Sequence, residues 1–305
     1  MLKTILSICL IVILGVSAYY FYNSIQDLSG KQIGFVVEKA NENQSSYSSS
    51  LQFYPNMRFK DNKISYLIDN SCNSNKRSRM LDAFSIISNR TSLVFYASEN
   101  PQVEVRCEEN QTNFKPGEYY IAGEGGPTLL INTSLFNIIE KGEILLLYKK
   151  ESCDASNVEI HELLHVLGFD HSQNNESIMF PTVACNQVIT LDILKEINRL
   201  YAIEQKPDLY FENITALKHG IYLDFFVAVA NKGLAKAENA SLELYSTETK
   251  FSTFNLGDID IGEIKTLEVK NSKLPNRDIQ QIRFAIIDSQ DLDNVNNIAK
   301  LSVAG

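Results

Sequence analysis

The distribution of hydrophobic positions divides the chain into three parts. Residues 4–26 carry no charge, and residues 5–22 are apolar apart from two serines. Residues 61–205 combine short apolar runs with segments of helical periodicity, whereas residues 206–305 alternate between apolar and polar positions. This order predicts an N-terminal transmembrane helix, an α+β domain with a mixed sheet, and an all-β sandwich. The length of 305 residues suits two domains and an anchor, since single cores stop growing near about 250 to 300 residues.

The N-terminal apolar run is long enough to cross a bilayer, because about 18 apolar residues suffice. Lys3 precedes the run and aromatic residues 19–22 end it, which favours an uncleaved anchor over residues 1–23. The protein would then be a single-pass protein of the cell membrane, with its C-terminal part outside the cytoplasm. The alternative is a signal peptide cleaved near residues 16–18, which would give a secreted protein.

Residues 24–60 are interpreted as a stalk or linker with one candidate strand at residues 33–38. The elements predicted beyond it form a mixed sheet with helices packed against it. The predicted strands are residues 64–68, 92–96, 103–106, 121–131 and 143–148, and the predicted helices are residues 76–88 and 158–167.

Short apolar runs recur after residue 206 at spacings typical of an antiparallel sandwich of about 100 residues. The predicted strands are residues 209–214, 221–230, 240–245, 265–269, 282–287 and 298–303. His219 lies between two of these runs and is interpreted as a loop or strand-edge residue.

Three of the four histidines fall within eleven consecutive residues. His161 and His165 stand one helical turn apart, so both imidazoles leave the same face of the predicted helix 158–167. Gly168 can adopt a positive φ, which ends the helix and turns the chain so that His171 approaches the other two. Three neutral nitrogen ligands around one point are therefore predicted.

Three protein ligands with an open fourth position are typical of a catalytic zinc, whereas a structural zinc usually has four. Glu162 lies beside the histidines and is predicted to take a proton from the attacking water. Ser156 and Glu159 have capping-box spacing, with Ser156 as the N-cap residue. The alternative, surface histidines on an amphipathic helix, is disfavoured because five specified positions coincide.

The long motif His-Glu-x-x-His-x-x-Gly-x-x-His is followed directly by Ser172 and then by Ser-Ile-Met-Phe-Pro at residues 177–181. This combination resembles the metzincin zinc endopeptidases, and among them the matrixins. The resemblance implies one catalytic zinc and a protein or peptide substrate. It also implies that Met179 forms a Met-turn below the metal, and that Phe180 and Pro181 help to wall the pocket for the side chain after the scissile bond.

The resemblance has further consequences for the sheet and the metals. Residues 190–201 resemble the matrixin C-terminal helix. Residues 121–131 would be an edge strand that pairs with extended substrate, and the alternative for them is an ordinary loop and strand. Pro181 excludes the tyrosine ligand of some relatives, which leaves three histidines and water. No cysteine switch precedes the domain, and His219 alone cannot build a second zinc site. Calcium is permitted by the sequence, but no motif supports it.

Four cysteines follow the apolar run, and they allow three pairings. Cys153 with Cys185 is favoured, because the first precedes the zinc helix and the second follows the Met-turn. Cys72 with Cys107 then remains. The alternative, four free thiols as zinc ligands, lacks any Cys-x-x-Cys spacing.

The formal charge of −9 argues against nucleic acid as a partner and against an anionic membrane surface as the main one. Residues 227–235 and 288–297 resemble CARDB domains, immunoglobulin-like adhesion modules, which implies a surface ligand for the sandwich at residues 206–305. The functional prediction is a zinc-dependent endopeptidase that hydrolyses peptide bonds of extracytoplasmic proteins. The alternative is a cell-surface adhesion protein with a vestigial protease domain at residues 61–205, which the intact Glu162 and histidine set disfavour.

Overall fold

The computed structural model of the protein describes residues 51–109, 122–148, 155–288 and 290–303. The predicted anchor at residues 1–23 and the predicted linker up to residue 50 lie outside the described residues. Among the residues that are described, no helix is both long and apolar enough to cross a membrane.

The first part of the described chain folds as a mixed sheet with three helices. Its elements are β1 (Met57–Phe59), β2 (Lys63–Ile68), α1 (Ser74–Arg90), β3 (Val94–Ala97), β4 (Val103–Glu109), β5 (Gly123–Asn132), β6 (Asn137–Tyr148), α2 (Asn157–Val166) and α3 (Leu191–Tyr201). The strand order is β1-β6-β4-β2-β3, and these neighbours pair in parallel.

β5 differs from the other strands of this sheet because it runs antiparallel to its neighbour β6. Residues 142–146 of β6 pair with β4 and with β5, so these two strands lie on opposite sides of β6. Among the described strands β5 has no second neighbour, which confirms the prediction of an edge strand in this stretch. Its register with β6 shifts near Pro127 and Leu129.

The end of the predicted linker belongs to the sheet. β1 pairs with the start of β6, and all three of its residues are buried, including Arg58. The Arg58 guanidinium donates hydrogen bonds to the carbonyls of Leu200 and Lys60 and lies over the Tyr201 ring, 4.3 Å from its centroid. An arginine inside a three-residue strand hides the hydrophobic pattern, which is why the sequence did not predict β1.

The core of this region lies between the sheet and its helices. On α1, Met80, Ala83, Phe84 and Ile87 are buried at three- and four-residue spacing, as expected for one face of an amphipathic helix. Asn73 caps the helix by accepting a hydrogen bond from the Lys76 amide, 2.9 Å away.

The second part of the described chain is a β-sandwich with its own core. Its strands are β7 (Leu209–His219), β8 (Tyr222–Asn231), β9 (Ala237–Ser246), β10 (Thr249–Ile259), β11 (Ile264–Lys273), β12 (Gln281–Ile287) and β13 (Ile298–Ser302). They form a four-stranded sheet in the order β10-β9-β12-β13 and a three-stranded sheet in the order β11-β8-β7. The sequence missed β10, because bulges near Lys250 and Asn255 interrupt its two-residue period.

A disulfide bond joins Cys72 and Cys107, which is one of the two expected pairs. It connects the residue before the α1 cap to β4. Cys185 is disulfide-bonded as well. Its expected partner, Cys153, lies outside the described residues, so that pairing stays a prediction.

Replacing both Cys72 and Cys107 by serine should lower the free energy of unfolding by about 4 kcal/mol, because the unfolded chain regains the freedom that the closed loop had removed. The two cysteines are separated by 35 positions in the sequence. Urea unfolding of the variant and the wild type measures the difference. A loss below about 0.5 kcal/mol, the range of ordinary surface substitutions, would contradict the expectation.

Candidate metal centre

Helix α2 is buried on every side, and all ten of its residues are buried. Its first turn contains Glu159, which is fully buried and forms ion pairs with Lys76 and Arg79 of α1 at 3.3 and 3.7 Å. Ser156 is the N-cap residue, but its side chain makes no capping hydrogen bond. The predicted capping box is therefore wrong, because the Glu159 carboxylate points to the cations of α1 instead of the start of its own helix.

The three histidines converge beside the second half of α2. The Nε2 atom of His165 lies 3.0 Å from Nε2 of His161 and 3.2 Å from Nε2 of His171. Two of the rings are buried and the third, His171, is exposed. Among the described residues this is the one group of at least three acidic, cysteine or histidine side chains that could hold a metal ion.

Hydrogen bonds to backbone carbonyls determine the tautomer of the two buried rings. The Nδ1 atom of His161 is 2.6 Å from the Ile178 carbonyl oxygen, and Nδ1 of His165 is 2.8 Å from that of Phe169. A carbonyl oxygen can only accept, so in the neutral rings each Nδ1 carries the hydrogen and each Nε2 keeps a lone pair.

Two Nε2 lone pairs that face each other at 3.0 Å repel unless a cation lies between them. Four tetrahedral ligands at a zinc–nitrogen distance of about 2.05 Å would stand about 3.3 Å apart, close to the spacings found here. The Nδ1–H groups supply the outer hydrogen bonds that zinc-binding histidines normally make. The donor set therefore fits a zinc ion with an open fourth position.

The turn after α2 brings Phe169 and His171 back to the helix. Gly168 has φ +93°, which confirms the predicted left-handed cap. The Phe169 amide donates to the Leu164 carbonyl at 3.0 Å and the Gly168 amide to that of His165 at 2.9 Å, the two bonds of a Schellman motif. A Cβ on Gly168 would lie 2.6 Å from Met57 Cγ, so any side chain here would displace β1 or the turn.

The predicted Met-turn is hydrogen-bonded to the part of the chain that carries the histidines. Met179 is buried, its carbonyl accepts from the Ser172 amide at 2.8 Å, and the preceding residue, Ile178, supplies the carbonyl for His161. The Phe180 amide closes the turn on the Ser177 carbonyl at 3.0 Å. Phe180 is half-buried and Pro181 is exposed; their role as pocket walls stays a prediction.

Glu162 is buried on the face of α2 that meets β5. A Cβ on Gly123 would lie 2.9 Å from Glu162 Cγ, and a Cβ on Gly125 would lie 2.4 Å from the Glu162 carbonyl oxygen. The glycines of β5 thus let the edge strand pack directly on the helix backbone. Burial raises the pKa of the Glu162 carboxyl to about 8, and the negative charges of Glu124 and Glu159 act in the same direction. A dication beside the carboxylate would lower that pKa again.

Phe53 is a residue of the site that the sequence did not reveal. Its ring stacks on His165 with 5.6 Å between centroids, and its amide donates to the Gly168 carbonyl at 3.0 Å. The Asp170 amide donates to the Leu51 carbonyl at 2.8 Å, so residues 51–53 are hydrogen-bonded to the turn at both ends. The aromatic pair Phe53-Tyr54 before Pro55 was the available signal.

His219, the remaining histidine, lies far along the chain at the end of β7. Its side chain is exposed, and its Nε2 is 3.0 Å from Asn271 Oδ1. This agrees with the predicted strand-edge position and keeps it outside the metal site.

Comparison with protein families identifies the chain. The family model described as matrixin matches residues 17–202, which is more than half of the sequence. The chain belongs to the matrixin family. This matrixin is a zinc metallopeptidase: its family is zinc-dependent, and its histidine cluster provides the ligands that zinc prefers.

Solved structures show weaker likenesses to this matrixin. A CARDB domain from Pyrococcus furiosus, described as a complex with di-metal ions, is 18% identical, covers 33% of this chain and 89% of its own, and has a TM-score of 0.27. High choriolytic enzyme 1, a hatching enzyme zinc-protease from Oryzias latipes, is 15% identical, covers 48% and 92%, and has a TM-score of 0.32. With TM-scores this low, neither likeness supports a further conclusion. No curated protein matches the chain significantly.

Replacing Gly168 by alanine should weaken zinc binding by about 10-fold or more, because the turn would move the Phe169 carbonyl away from His165. Competition with a chromogenic chelator measures the zinc affinity. Gly220→Ala is the matched control, since Gly220 also has a positive φ of +65° but no atom within 4 Å of a Cβ. Equal zinc affinities in the two variants would contradict the expectation.

The metal-free matrixin should lose stability as the pH rises from about 6.5 to about 8. In that interval the folded state holds a proton on Glu162, with its pKa of about 8, that the unfolded chain, with a pKa of 4.5, has released. His165 acts in the opposite direction, but only below pH 6.5, because burial lowers its pKa to about 4. The loss should reach at most about 2 kcal/mol.

Urea unfolding at the two pH values in the presence of a chelator tests this dependence. Glu162→Gln should remove the decline, because glutamine binds no proton. An unchanged decline in that variant would show that other groups cause it.

Proposed function

We propose that this matrixin is an endopeptidase that hydrolyses internal peptide bonds of proteins outside the cytoplasm. The observation that carries the proposal is the set of imidazole lone pairs that converge next to a buried glutamate. In this proposal His161, His165 and His171 hold the zinc ion, and the Ile178 and Phe169 carbonyls keep the two buried rings in the ligating tautomer. When bound, zinc polarises the carbonyl of the scissile bond and makes water more acidic.

Glu162 would act as the proton carrier. Its carboxylate would accept a proton from the water that attacks the peptide carbonyl and would later donate that proton to the leaving amine. Burial favours the protonated form of this carboxyl, whereas a bound dication would favour the carboxylate, so the two influences oppose each other at a group that must both accept and release a proton. A carboxylate this buried is costly to keep without a function, and this argues against a vestigial protease domain.

β5 would bind the substrate main chain. Its outer edge has no partner among the described strands, and an extended peptide can add to such an edge through backbone hydrogen bonds. The packing of Gly123 and Gly125 against Glu162 would bring a peptide on this edge close to the proton carrier. A strand edge accepts the middle of a polypeptide as readily as its end, which favours cleavage of internal bonds.

We also propose that the protein is anchored in the cell membrane by residues 1–23, with the catalytic part outside the cytoplasm. The support comes from the uncharged residues 4–26 and from the disulfide bonds of Cys72–Cys107 and Cys185. Disulfides persist in oxidising compartments and are rare in the cytosol. The C-terminal sandwich would contact a surface ligand, a role that rests on its resemblance to CARDB domains alone.

Glu162→Gln should lower kcat for peptide hydrolysis by about 10² to 10⁴, while the zinc content stays at the wild-type value. The reason is that glutamine keeps the shape of the side chain but cannot accept the proton. Cleavage of casein and zinc analysis of the same samples measure both quantities, and a chelator should abolish wild-type cleavage.

Glu196→Gln is the matched control, because Glu196 is a buried glutamate of α3 that pairs with Arg199 instead of facing the histidines. Its kcat should remain near the wild-type value. If Glu162→Gln keeps activity within about 10-fold of the wild type, Glu162 is not the proton carrier.

A further inference from the structure

The connection between the catalytic region and the sandwich is held by tight backbone contacts. The Leu234 amide donates to the Lys206 carbonyl at 2.9 Å, and the Lys232 amide donates to the Asp208 carbonyl at 2.9 Å. Between them, a Cβ on Gly233 would lie 2.4 Å from the Asp208 nitrogen. Residues 206–208, which join the two regions, are therefore held in place by residues 232–234 of the sandwich.

The same loop packs on the turn between β5 and β6. Ile131, Leu135, Phe136 and Ile138 form a separate hydrophobic cluster with Ile203 after α3 and with Leu234 and Ile261 of the sandwich; we call this set the hairpin contact. Phe136, Ile138 and Leu234 are each only 1% exposed. The Thr133 hydroxyl adds a hydrogen bond of 3.2 Å to the Lys232 carbonyl.

Gly262 of the sandwich lies close to the edge strand itself. A Cβ on this residue would lie 2.8 Å from Ile131 Cγ2, and Ile131 is the penultimate residue of β5. Gly262 also has φ +73°, and its amide donates to the Asn231 carbonyl at 2.9 Å. The sandwich therefore packs against β5 so closely that a side chain at position 262 would clash with Ile131.

β5 consequently has two fixed ends. Its first residues pack on Glu162 in the catalytic site, and its last residues pack on the sandwich. Between them lie Gly126, Pro127 and the register shifts against β6, which weaken the pairing of the strand with the sheet.

We propose that the C-terminal sandwich is a positioning element for substrate binding: it fixes the far end of β5 and so determines how well an extended polypeptide pairs with that strand. The inference rests on the proposed endopeptidase function. From Gly125 to Asn132 an extended strand spans about 23 Å, so a substrate needs about seven residues on this side of the scissile bond to use the whole edge. Short peptides would pair only with the end that α2 holds.

The test compares two glycine substitutions that share the same backbone strain. Gly262→Ala introduces the clash with Ile131, whereas Gly257→Ala is the matched control, because Gly257 has φ +71° and no atom within 4 Å of a Cβ. The full-length protein with zinc would be assayed with peptides of about 6 and about 14 residues that share one cleavage site.

The ratio of kcat/KM for the long peptide to that for the short peptide should fall by about 5-fold in Gly262→Ala, mainly through KM of the long peptide. The ratio should be unchanged in Gly257→Ala. An equal ratio in both variants, or an equal loss on both peptides, would overturn the inference.

Amide hydrogen exchange provides a readout that does not depend on activity. Protected amides of β5 should exchange about 5-fold faster in Gly262→Ala than in the wild type, and at the wild-type rate in Gly257→Ala. If the wild type cleaves neither peptide, the proposed function fails, while this comparison still decides whether the sandwich holds β5. Unchanged exchange in Gly262→Ala would overturn the inference.

Leu234→Ala provides a second variant if Gly262→Ala does not fold. It removes apolar contacts from the hairpin contact without creating a clash. Leu242→Ala is its control, because Leu242 is buried in the sandwich core outside the hairpin contact. Faster exchange of β5 in Leu234→Ala alone supports the inference, and equal exchange in both variants contradicts it.

Discussion

The catalytic region is built around the unfavourable approach of three imidazole nitrogens. Left to themselves, neutral rings would rotate so that one ring donates to the next, and no ligand set would remain. The carbonyls of Ile178 and Phe169 prevent this rotation by occupying the other nitrogen of each buried ring. Each carbonyl belongs to a tight turn, so the two turns after α2 act on the metal site through the backbone as much as through their side chains.

The same requirement explains the surroundings of α2. A helix with all faces buried must satisfy its polar groups inside the protein, and Glu159 does so with Lys76 and Arg79 of α1. Removing one partner of such a pair costs far more than the pair itself contributes, because an uncompensated charge would remain in the core. The ion pairs therefore fix the position of α2 relative to α1 in the first turn of α2.

Local sequence determined much of the site and some of the fold. The spacing of His161 and His165 and the glycine at 168 act within two turns of helix, so they could be interpreted without knowing the rest of the chain. The contacts of Phe53 with His165 and of Gly125 with Glu162 join distant parts of the sequence, and no local sequence pattern predicts such contacts. The capping box failed for a related reason, since a partner on another helix competed successfully for Glu159. β1 and β10 escaped prediction because a buried arginine and several bulges disturbed their alternation.

The contact of Arg58 with Leu200 and Tyr201 has a consequence for biosynthesis. Arg58 and Leu200 are 142 residues apart, so the guanidinium gains its contacts with Leu200 and Tyr201 only when the last helix has been synthesised. Contacts between such distant residues form slowly because a long loop must close first. On a ribosome that has translated only the metal ligands, β1 can pair with β6 while Arg58 still lacks its contacts with α3. We therefore expect the packing of this strand to be completed only after α3 has left the exit tunnel.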